Sequence, residues 1–239
     1  MNVKEISKIK PMKYKYETHL HTKHVSKCAH SDVRENLEFY KKKGFDGVFI
    51  TNHFLDGNIN VDRTLSYAEQ VEFYFSDYEK ALELSSEIGI KVFCGVELSY
   101  KGTDFLIYGL DKMWYLENPQ IMEMEKSKEL EFMRDSGALV IQAHPFRMAT
   151  YIDHIRIYTN SIHGMEVINA NRSERENDMA LYYATSYGLL MTAGSDNHMG
   201  KEQKKVAGMS FDTPLRDEND FIERVKKGEQ VIFYEELDK

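Results

Sequence analysis

Short apolar segments alternate with helical segments along most of the chain, and this alternation constrains the fold more than any other feature. The apolar segments predict strands at residues 13–20, 47–51, 91–96, 105–108, 138–143, 164–168 and 189–193. Strands that alternate with helices form parallel sheets with right-handed crossovers, and seven of them can close into a barrel. The sequence therefore predicts an α/β fold of the (β/α)7 barrel type. Two further strands are predicted in the tail, at 206–211 and 231–234.

Length, composition and charge exclude several classes of protein. A chain of 239 residues fits one large domain, and 42% hydrophobic with 29% charged residues is typical of a soluble globular protein. The net charge of −8 argues against binding of long nucleic acid through its phosphates. Two cysteines, Cys28 and Cys94, are too few for a disulfide framework. With no signal peptide and no apolar run of about 18 residues, we expect a cytoplasmic protein without a membrane span.

Metal-binding side chains follow the carboxyl ends of the predicted strands. His19 and His21 lie two residues apart at the end of the first strand, so both imidazoles lie on one face and can converge. In barrels of this kind the active site forms at the carboxyl-terminal face. The donors found there are His19, His21, His53, Glu97, His144, Asp196 and His198. They outnumber the ligands of one tetrahedral ion, so the sequence predicts a cluster of two or three ions.

Five ordered motifs resemble the PHP (polymerase and histidinol phosphatase) domain family of metal-dependent phosphoesterases. They are His19-Leu20-His21, Thr51-Asn52-His53, Gly95-Val96-Glu97, Ala143-His144-Pro145 and Gly194-Ser195-Asp196-Asn197-His198. The resemblance covers His19 to His198 and implies one PHP-type domain over residues 1–239, with a distorted, seven-stranded TIM-like barrel.

The resemblance also implies a distribution of ligands over three metals. One ion would be bound by His19, His21, Glu97 and Asp196. A second would share Glu97 and add His144, and a third would lie on His53 and His198.

Two departures from the family pattern concern the second motif and the fourth strand. The usual Thr-Asp-His is Thr-Asn-His here, and Asn52 keeps a hydrogen-bonding side chain but loses a charge that would orient a ligand. The histidine that many members carry on the fourth strand is absent. Asp104 is the nearest replacement, and a carboxylate there would favour manganese or ferrous iron over zinc. Asp104 could instead be a solvated residue before the strand.

A third departure lies in the loop after the first strand, where the family usually supplies an Asp or His to the third metal. The choices in this chain are His24, Cys28, His30 and Asp32. Cys28 is preferred by its distance from the start of the next helix, and its thiolate can bind a transition metal. The alternative is that Cys28 is a small buried hydrophobic residue and His30 an ordinary loop residue.

The chemistry expected of such a cluster is hydrolysis of a phosphate ester. Clustered Mn, Fe or Zn ions lower the pKa of bound water, so that hydroxide attacks the phosphorus without a side-chain nucleophile. Arg147 and Arg172 follow the fifth and sixth strands, and we expect their guanidinium groups to bind phosphate oxygens. Each could instead be a surface ion-pair residue. The acidic chain favours a small phosphorylated metabolite or nucleotide as substrate.

Two other functions stay open at this point. Amidohydrolase barrels, which cleave carbon–nitrogen bonds, also begin with His-x-His and end with Asp, but they commonly need a bridging lysine that no strand end here carries. A catalytically silent metal-binding module that regulates a partner is the second alternative. The sequence leaves the substrate, the native metal and the oligomeric state undetermined.

Overall fold

Strands and helices alternate through the computed structural model, which describes residues 2–237. The strands are β1 Tyr14–Leu20, β2 Gly47–Ile50, β3 Lys91–Tyr100, β4 Thr103–Tyr108, β5 Leu139–Ala143, β6 Gly164–Asn169, β7 Leu190–Gly194, β8 Lys205–Phe211 and β9 Val231–Glu236. The helices are α1 Val3–Ile6, α2 Val33–Lys42, α3 Tyr67–Ile88, α4 Lys112–Glu117, α5 Lys126–Asp135, α6 Glu174–Tyr187 and α7 Glu218–Lys227, with 3₁₀ turns at Pro119–Glu123 and Gly200–Glu202. None of the described helices combines the length and apolar character needed to cross a membrane.

Local signals set the ends of the helices that cover the sheet. α2, α3 and α6 begin with capping boxes at Asp32, Ser66 and Ser173, whose side chains accept hydrogen bonds from the third residue of each helix. α3 and α6 end at Gly89 and Gly188, both in the left-handed conformation that glycine adopts without steric cost. These signals fix where each helix returns the chain to the sheet.

The strands form one nearly closed, barrel-like sheet of nine strands, so the expected count of seven is wrong. Their order is β7-β6-β5-β4-β3-β2-β1-β8-β9. The two tail strands account for the difference, because β8 pairs antiparallel with β1 and β9 pairs antiparallel with β8.

One strand of the first seven, β4, also runs opposite to the expected direction. β1–β3 and β5–β7 are parallel, whereas β4 is antiparallel to both β3 and β5. Only Lys101 and Gly102 connect β3 to β4, and both have positive φ, as in a tight hairpin turn. A parallel connection would need a dozen or more residues. The amino end of β4 therefore lies beside the carboxyl ends of its neighbours.

β1 and β7 approach each other without forming a continuous ladder. The hydroxyl of Thr18 donates to the carbonyl of Ala193 at 2.7 Å, and Asn197 exchanges backbone hydrogen bonds with His19 and His21 at 3.2 and 3.1 Å. Gly194 permits this approach, because a Cβ atom there would lie 2.5 Å from the Cβ of His19. This contact brings the ends of β1 and β7 together.

Aromatic side chains fill the inside of the sheet. Tyr16, Phe49, Phe93 and Tyr108 are fully or almost fully buried there, and Phe221 of α7 packs on this group with its ring centroid 4.5 Å from that of Phe49. The polar side chains at the carboxyl ends of the strands therefore rest on a packed apolar layer.

We expect Gly194→Ala to destabilise the protein, because the added methyl group overlaps His19 and lies 2.8 Å from a carboxylate oxygen of Glu166. Overpacking of this kind costs about 1–3 kcal/mol. Thermal unfolding measures the effect as a fall in Tm of about 2–4 °C per kcal/mol for a domain of this size. Gly228→Asn is the control, since nothing lies within 4 Å of that position and Asn tolerates its left-handed φ. Equal Tm values for Gly194→Ala and wild type would contradict the close approach of β1 and β7.

Candidate metal centre

The donors predicted from the strand ends lie together at one end of the barrel. Four groups of three side chains each place their donor atoms within 4.8 Å of one another. The groups are His21, His53 and His198; His19, His144 and Asp196; His19, His21 and Glu97; and Glu97, Asp104 and His144. Because the groups share members, they form one continuous cluster.

The carboxylate of Glu97 lies at the centre of this cluster. Its Oε1 is 3.1 Å from Nε2 of His19 and 3.4 Å from Nε2 of His144. Its Oε2 is 2.7 Å from Nδ1 of His53 and 3.3 Å from Nε2 of His21. The side chain is 1% exposed, and neither oxygen has a partner with hydrogen-bond geometry. Lone pairs of the carboxylate are thus directed at the space between four imidazoles.

Asp196 brings a second buried carboxylate to the same space. Its Oδ1 lies 3.5 Å from Nε2 of both His19 and His21, and 3.2 Å from Nδ1 of His198. Asp196 and His144 have positive φ, of 53° and 27°, which residues other than glycine seldom adopt. Backbone strain of this kind is concentrated at functional sites, where surrounding contacts hold it in place.

Glu166, which the sequence analysis missed, orients two of the imidazole residues. Its Oε1 lies 2.9 Å from Nδ1 of His19, and its Oε2 accepts a hydrogen bond from the backbone N–H of His144 at 3.0 Å. An ionised carboxylate only accepts, so the proton of His19 lies on Nδ1 and Nε2 faces Glu97. The sequence offered one signal for Glu166, namely a charged residue within an otherwise apolar strand. In the structure this side chain is fully buried in β6.

Glu17, also missed, ties β1 to the segment that follows β7. Its Oε1 accepts backbone hydrogen bonds from His19 and Ser195, each at 2.8 Å. Burial raises the pKa of this carboxyl to about 7. Glu17 stands next to the His-x-His motif in the sequence, but a register shift between Glu17 and Leu20 interrupts the alternation of β1, and the side chain of Glu17 lies against Tyr40 of α2.

Asp104 joins the cluster because β4 runs antiparallel to its neighbours. The residue is the second of its strand, and its Oδ2 lies 3.8 Å from Nε2 of His144. The same oxygen lies 2.9 Å from Nη2 of Arg147, which also donates to the carbonyl of Gly102 at 3.2 Å. Arg147 is therefore already paired with a carboxylate. Burial and the nearby charge of Glu97 raise the pKa of Asp104.

Of the four candidates in the loop after β1, Cys28 alone lines the cavity beside the cluster. Asp32 caps α2, and the ring of His24 packs against Phe73 at 5.0 Å. His30 is exposed and contacts the site only through its backbone N–H, which donates to the carbonyl of His198. His198 and His53 lie close enough to the thiol of Cys28 to lower its pKa.

The carboxylates of the cluster are balanced by protons on several imidazoles. Burial alone would lower the pKa of His19 and His53, but neighbouring carboxylates raise both well above the ordinary value. Asp196 likewise raises the pKa of His198 to about 10 against the effect of burial. Burial and the charges of His198 and His53 lower the pKa of His21 to about 4, which leaves it neutral.

This donor set fits divalent metal ions. Five imidazoles with unpaired buried carboxylate oxygens match the nitrogen and oxygen ligands that Zn, Mn and Fe prefer. Bound cations would take the place of the protons that the imidazoles carry, which is the usual exchange on metal binding.

A cavity of about 850 Å³ opens from the cluster. Its wall includes Arg147, Arg172, Lys101 and the exposed ring of Tyr151. Nε of both Arg147 and Arg172 is buried without a hydrogen-bond partner. Arg147 is nevertheless paired with Asp104 through Nη2, whereas Arg172 forms no ion pair with any carboxylate in the described part of the chain. The cavity therefore offers an unpaired cationic group opposite the carboxylates and imidazoles.

The metal-free protein should contain one reactive thiol. Burial alone would raise the pKa of Cys28, but the nearby His198 and His53 lower it from 9.0 to about 6, whereas burial raises the pKa of Cys94 far above its ordinary value. Thiolate is the reactive form, so alkylation of Cys28 should rise with pH with a midpoint near 6. Mass spectrometry after timed alkylation measures both cysteines, and Cys94 is the internal control. A midpoint near 9, or equal reaction of Cys94, would contradict the contacts of Cys28.

Comparisons with known proteins identify one family model and several solved structures of similar fold. The family model PHP_C, described as PHP-associated, matches residues 174–230. No curated protein matches the chain in sequence.

Several solved structures share the fold. A two-domain protein from Bacteroides vulgatus, containing a predicted PHP-like metal-dependent phosphoesterase, has a TM-score of 0.68 at 15% identity; the match covers 92% of this chain and 64% of that protein. A candidate metal-dependent phosphoesterase from Bifidobacterium adolescentis has a TM-score of 0.55 at 15% identity, over 80% of this chain and 90% of its own. PsfC from Pseudomonas syringae has a TM-score of 0.57 at 14% identity, over 94% and 91%. The matched part of the sequence and the shared fold together confirm the resemblance of this chain to the PHP domain family.

Proposed function

We propose that this chain is a metal-dependent phosphoesterase that hydrolyses the phosphate ester of a small metabolite or nucleotide. The observation that carries the proposal is the buried carboxylate of Glu97 among four imidazoles, beside a cavity that holds the unpaired guanidinium of Arg172. In this proposal residues 1–239 act as one PHP-type domain that carries the whole site.

The donors divide among two or three divalent ions, for which Mn, Fe and Zn are the candidates. His19, His21, Glu97 and Asp196 would hold one ion, and Glu97, Asp104 and His144 a second. His53, His198 and Cys28 would hold a third. When bound, such ions lower the pKa of coordinated water and neutralise the oxygens of a phosphoryl group.

The surrounding residues hold the donors and the substrate in place. Glu166 keeps the proton of His19 on Nδ1, and the ion pair with Arg147 orients the carboxylate of Asp104. Arg172 has no competing carboxylate among its hydrogen-bond partners in the described chain, so its guanidinium is free to bind phosphate oxygens in a bidentate manner. Arg172 is therefore the primary phosphate-binding residue, and Arg147 acts mainly through Asp104.

The similar structures support the class of reaction. Two of them are described as metal-dependent phosphoesterases, and this chain spans 64% of the length of the first. The shared fold raises the expectation of hydrolysis at a metal centre, whereas the choice of a phosphate ester rests on the cationic wall of the cavity.

Elemental analysis of gently purified protein, paired with a p-nitrophenyl phosphate assay with and without added manganese, tests the proposal. We expect two or three transition-metal ions per chain and turnover that chelation removes. His19→Ala and Asp196→Ala should lose bound metal and activity together, because His19 belongs to two of the donor groups and the Asp196 carboxylate lies within 3.5 Å of His19, His21 and His198. His154→Ala is the matched control, as this histidine is exposed and lies outside the cluster.

Three results would contradict the proposal. Full metal content in both His19→Ala and Asp196→Ala would show that the ions bind elsewhere. One ion or none per chain after reconstitution would contradict the cluster itself. Bound metal without phosphatase turnover on any of a panel of phosphorylated metabolites would favour cleavage of carbon–nitrogen bonds or a regulatory role.

Arg172→Gln should raise KM for a phosphate monoester by about tenfold or more, because a charge-assisted hydrogen bond contributes about 1.5–3 kcal/mol. Metal content should be unchanged, since Arg172 belongs to none of the donor groups. Steady-state kinetics measure the effect, and Arg175→Gln, an exposed arginine on α6, is the control. An unchanged KM would exclude Arg172 as the phosphate-binding residue.

A further inference from the structure

A chain of side-chain hydrogen bonds begins behind His21, on the side of the ring that faces away from Glu97. Nδ1 of His21 lies 3.0 Å from the hydroxyl oxygen of Ser26. That hydroxyl donates to Oδ1 of Asn52 at 2.8 Å and accepts the backbone N–H of His53 at 3.1 Å. The second ring nitrogen of His21 faces the cluster, 3.3 Å from Glu97.

The direction of these hydrogen bonds follows from groups that can act in only one way. The backbone N–H of Thr22 donates to Oδ1 of Asn52 at 2.7 Å, which fixes the orientation of the amide. Ser26 has one proton, and it lies toward Asn52. The hydroxyl therefore presents a lone pair to His21, so Nδ1 of His21 carries a proton and its Nε2 keeps a lone pair for the cluster.

The chain continues from Asn52 to a buried carboxylate on α3. Nδ2 of Asn52 donates to Oγ1 of Thr22 at 2.6 Å, and that hydroxyl donates to Oδ2 of Asp77 at 2.5 Å. Asp77 is 4% exposed, and the same oxygen accepts the backbone N–H of Val25 at 3.1 Å. Every donor along this series of hydrogen bonds, from His21 to Asp77, points in the same direction. Hydrogen bonds arranged in this way polarise one another.

We propose that Asp77 is a positioning residue of the metal centre, which acts through Thr22, Asn52 and Ser26 to hold His21 with its proton on Nδ1 and its Nε2 lone pair toward Glu97 and Asp196. Asp77 touches none of the donors directly. It supplies the single negative charge at the far end of the hydrogen-bond series, and it fixes the loop that carries Ser26. The inference rests on the proposed function, because it assigns Asp77 a role in that same site.

The arrangement makes the residues at positions 52 and 77 interdependent. The hydroxyl of Thr22 lies between them, and it has one proton to donate. With Asp at both positions, two buried carboxylates would compete for that proton and repel each other. With Asn at 52 and Asp at 77, one amide and one carboxylate satisfy all partners. The reverse pair also keeps a single charge, but the one proton of Thr22 must then serve either the carboxylate at position 52 or the amide at position 77, because the oxygen of residue 77 that faces Thr22 also accepts the N–H of Val25. The hydrogen-bond series therefore accommodates one buried charge at positions 52 and 77.

Nuclear magnetic resonance of the metal-free protein tests the position of the proton. Two-bond ¹H–¹⁵N correlation spectra at neutral pH should show a protonated Nδ1 and a bare Nε2 for His21 in the wild type. Asp77→Leu should shift both nitrogens toward a mixture of tautomers. Asp77→Asn should do so less, because its side-chain oxygen can still accept from Thr22 and Val25. Wild-type signals in Asp77→Leu would overturn the proposal.

Metal affinity, measured by competition with a chelator for zinc alone, tests the consequence for the site. Asp77→Leu and Asn52→Asp should each weaken binding by about tenfold or more, as loss of an orienting partner generally does. Combining Asn52→Asp with Asp77→Asn should restore part of the affinity, because only one buried charge then remains. An Asn52→Asp defect that Asp77→Asn does not relieve would contradict the shared charge.

Two further variants keep the test decisive. If Asn52→Asp does not fold, Thr22→Val removes the central hydroxyl with little change of shape and should reproduce the effect of Asp77→Leu; wild-type affinity would overturn the proposal. Asp220→Asn, on α7, is the control, because its carboxylate also accepts a backbone N–H but lies away from the cluster. Failure of the wild type to bind zinc would refute the proposed metal centre, while the tautomer measurement would still decide the role of Asp77.

Discussion

The buried carboxylate of Glu97 imposes the main constraint on this molecule. A charge removed from water costs several kcal/mol unless compensating groups surround it. Here the imidazoles of His53 and His19 hold the pKa of Glu97 well below its ordinary value, although burial alone would raise it. Other side chains hold those imidazoles in place; Glu166, for example, accepts a hydrogen bond from Nδ1 of His19. The cluster is thus a set of mutually dependent charges, in which each group is stable only because its neighbours are present.

The barrel supplies the geometry that these charges require. Parallel strands deliver their carboxyl ends to one place, and the reversed β4 adds Asp104 at its amino end. Gly194 lets β7 approach β1 closely enough for Asp196 to reach His19 and His21. The left-handed backbone at His144 and Asp196 turns both side chains into the cluster, at a cost that the surrounding contacts offset. Fold and site are therefore coupled through a few positions at the strand ends.

Much of this arrangement could be predicted because it depends on local patterns. The apolar strands, the helix caps and the histidines after the strands are read from neighbouring residues, and parallel pairing then places the donors together. The strand count was wrong because the pairing of β8 with β1, which brings β9 into the sheet as well, depends on contacts between distant parts of the sequence. The direction of β4 was missed because the predicted strands end at 96 and begin at 105, whereas in the structure only Lys101 and Gly102 lie between β3 and β4. Glu17 and Glu166 could have been recognised as charged residues within the apolar strands β1 and β6. No local pattern singles out Asp77, because its role depends on the packing of α3 against the loop after β1.

The most direct test of this account is anomalous diffraction from crystals grown with manganese or zinc. The account predicts at least two anomalous peaks within the cluster, with the carboxylate of Glu97 bridging two ions and Nε2 of His21 bound to one of them. The chelating atoms of His19 and His21 should both be Nε2, because Glu166 and Ser26 occupy their Nδ1 atoms. Peaks confined to other parts of the surface, or ions that leave Glu97 uncoordinated, would contradict the central claim.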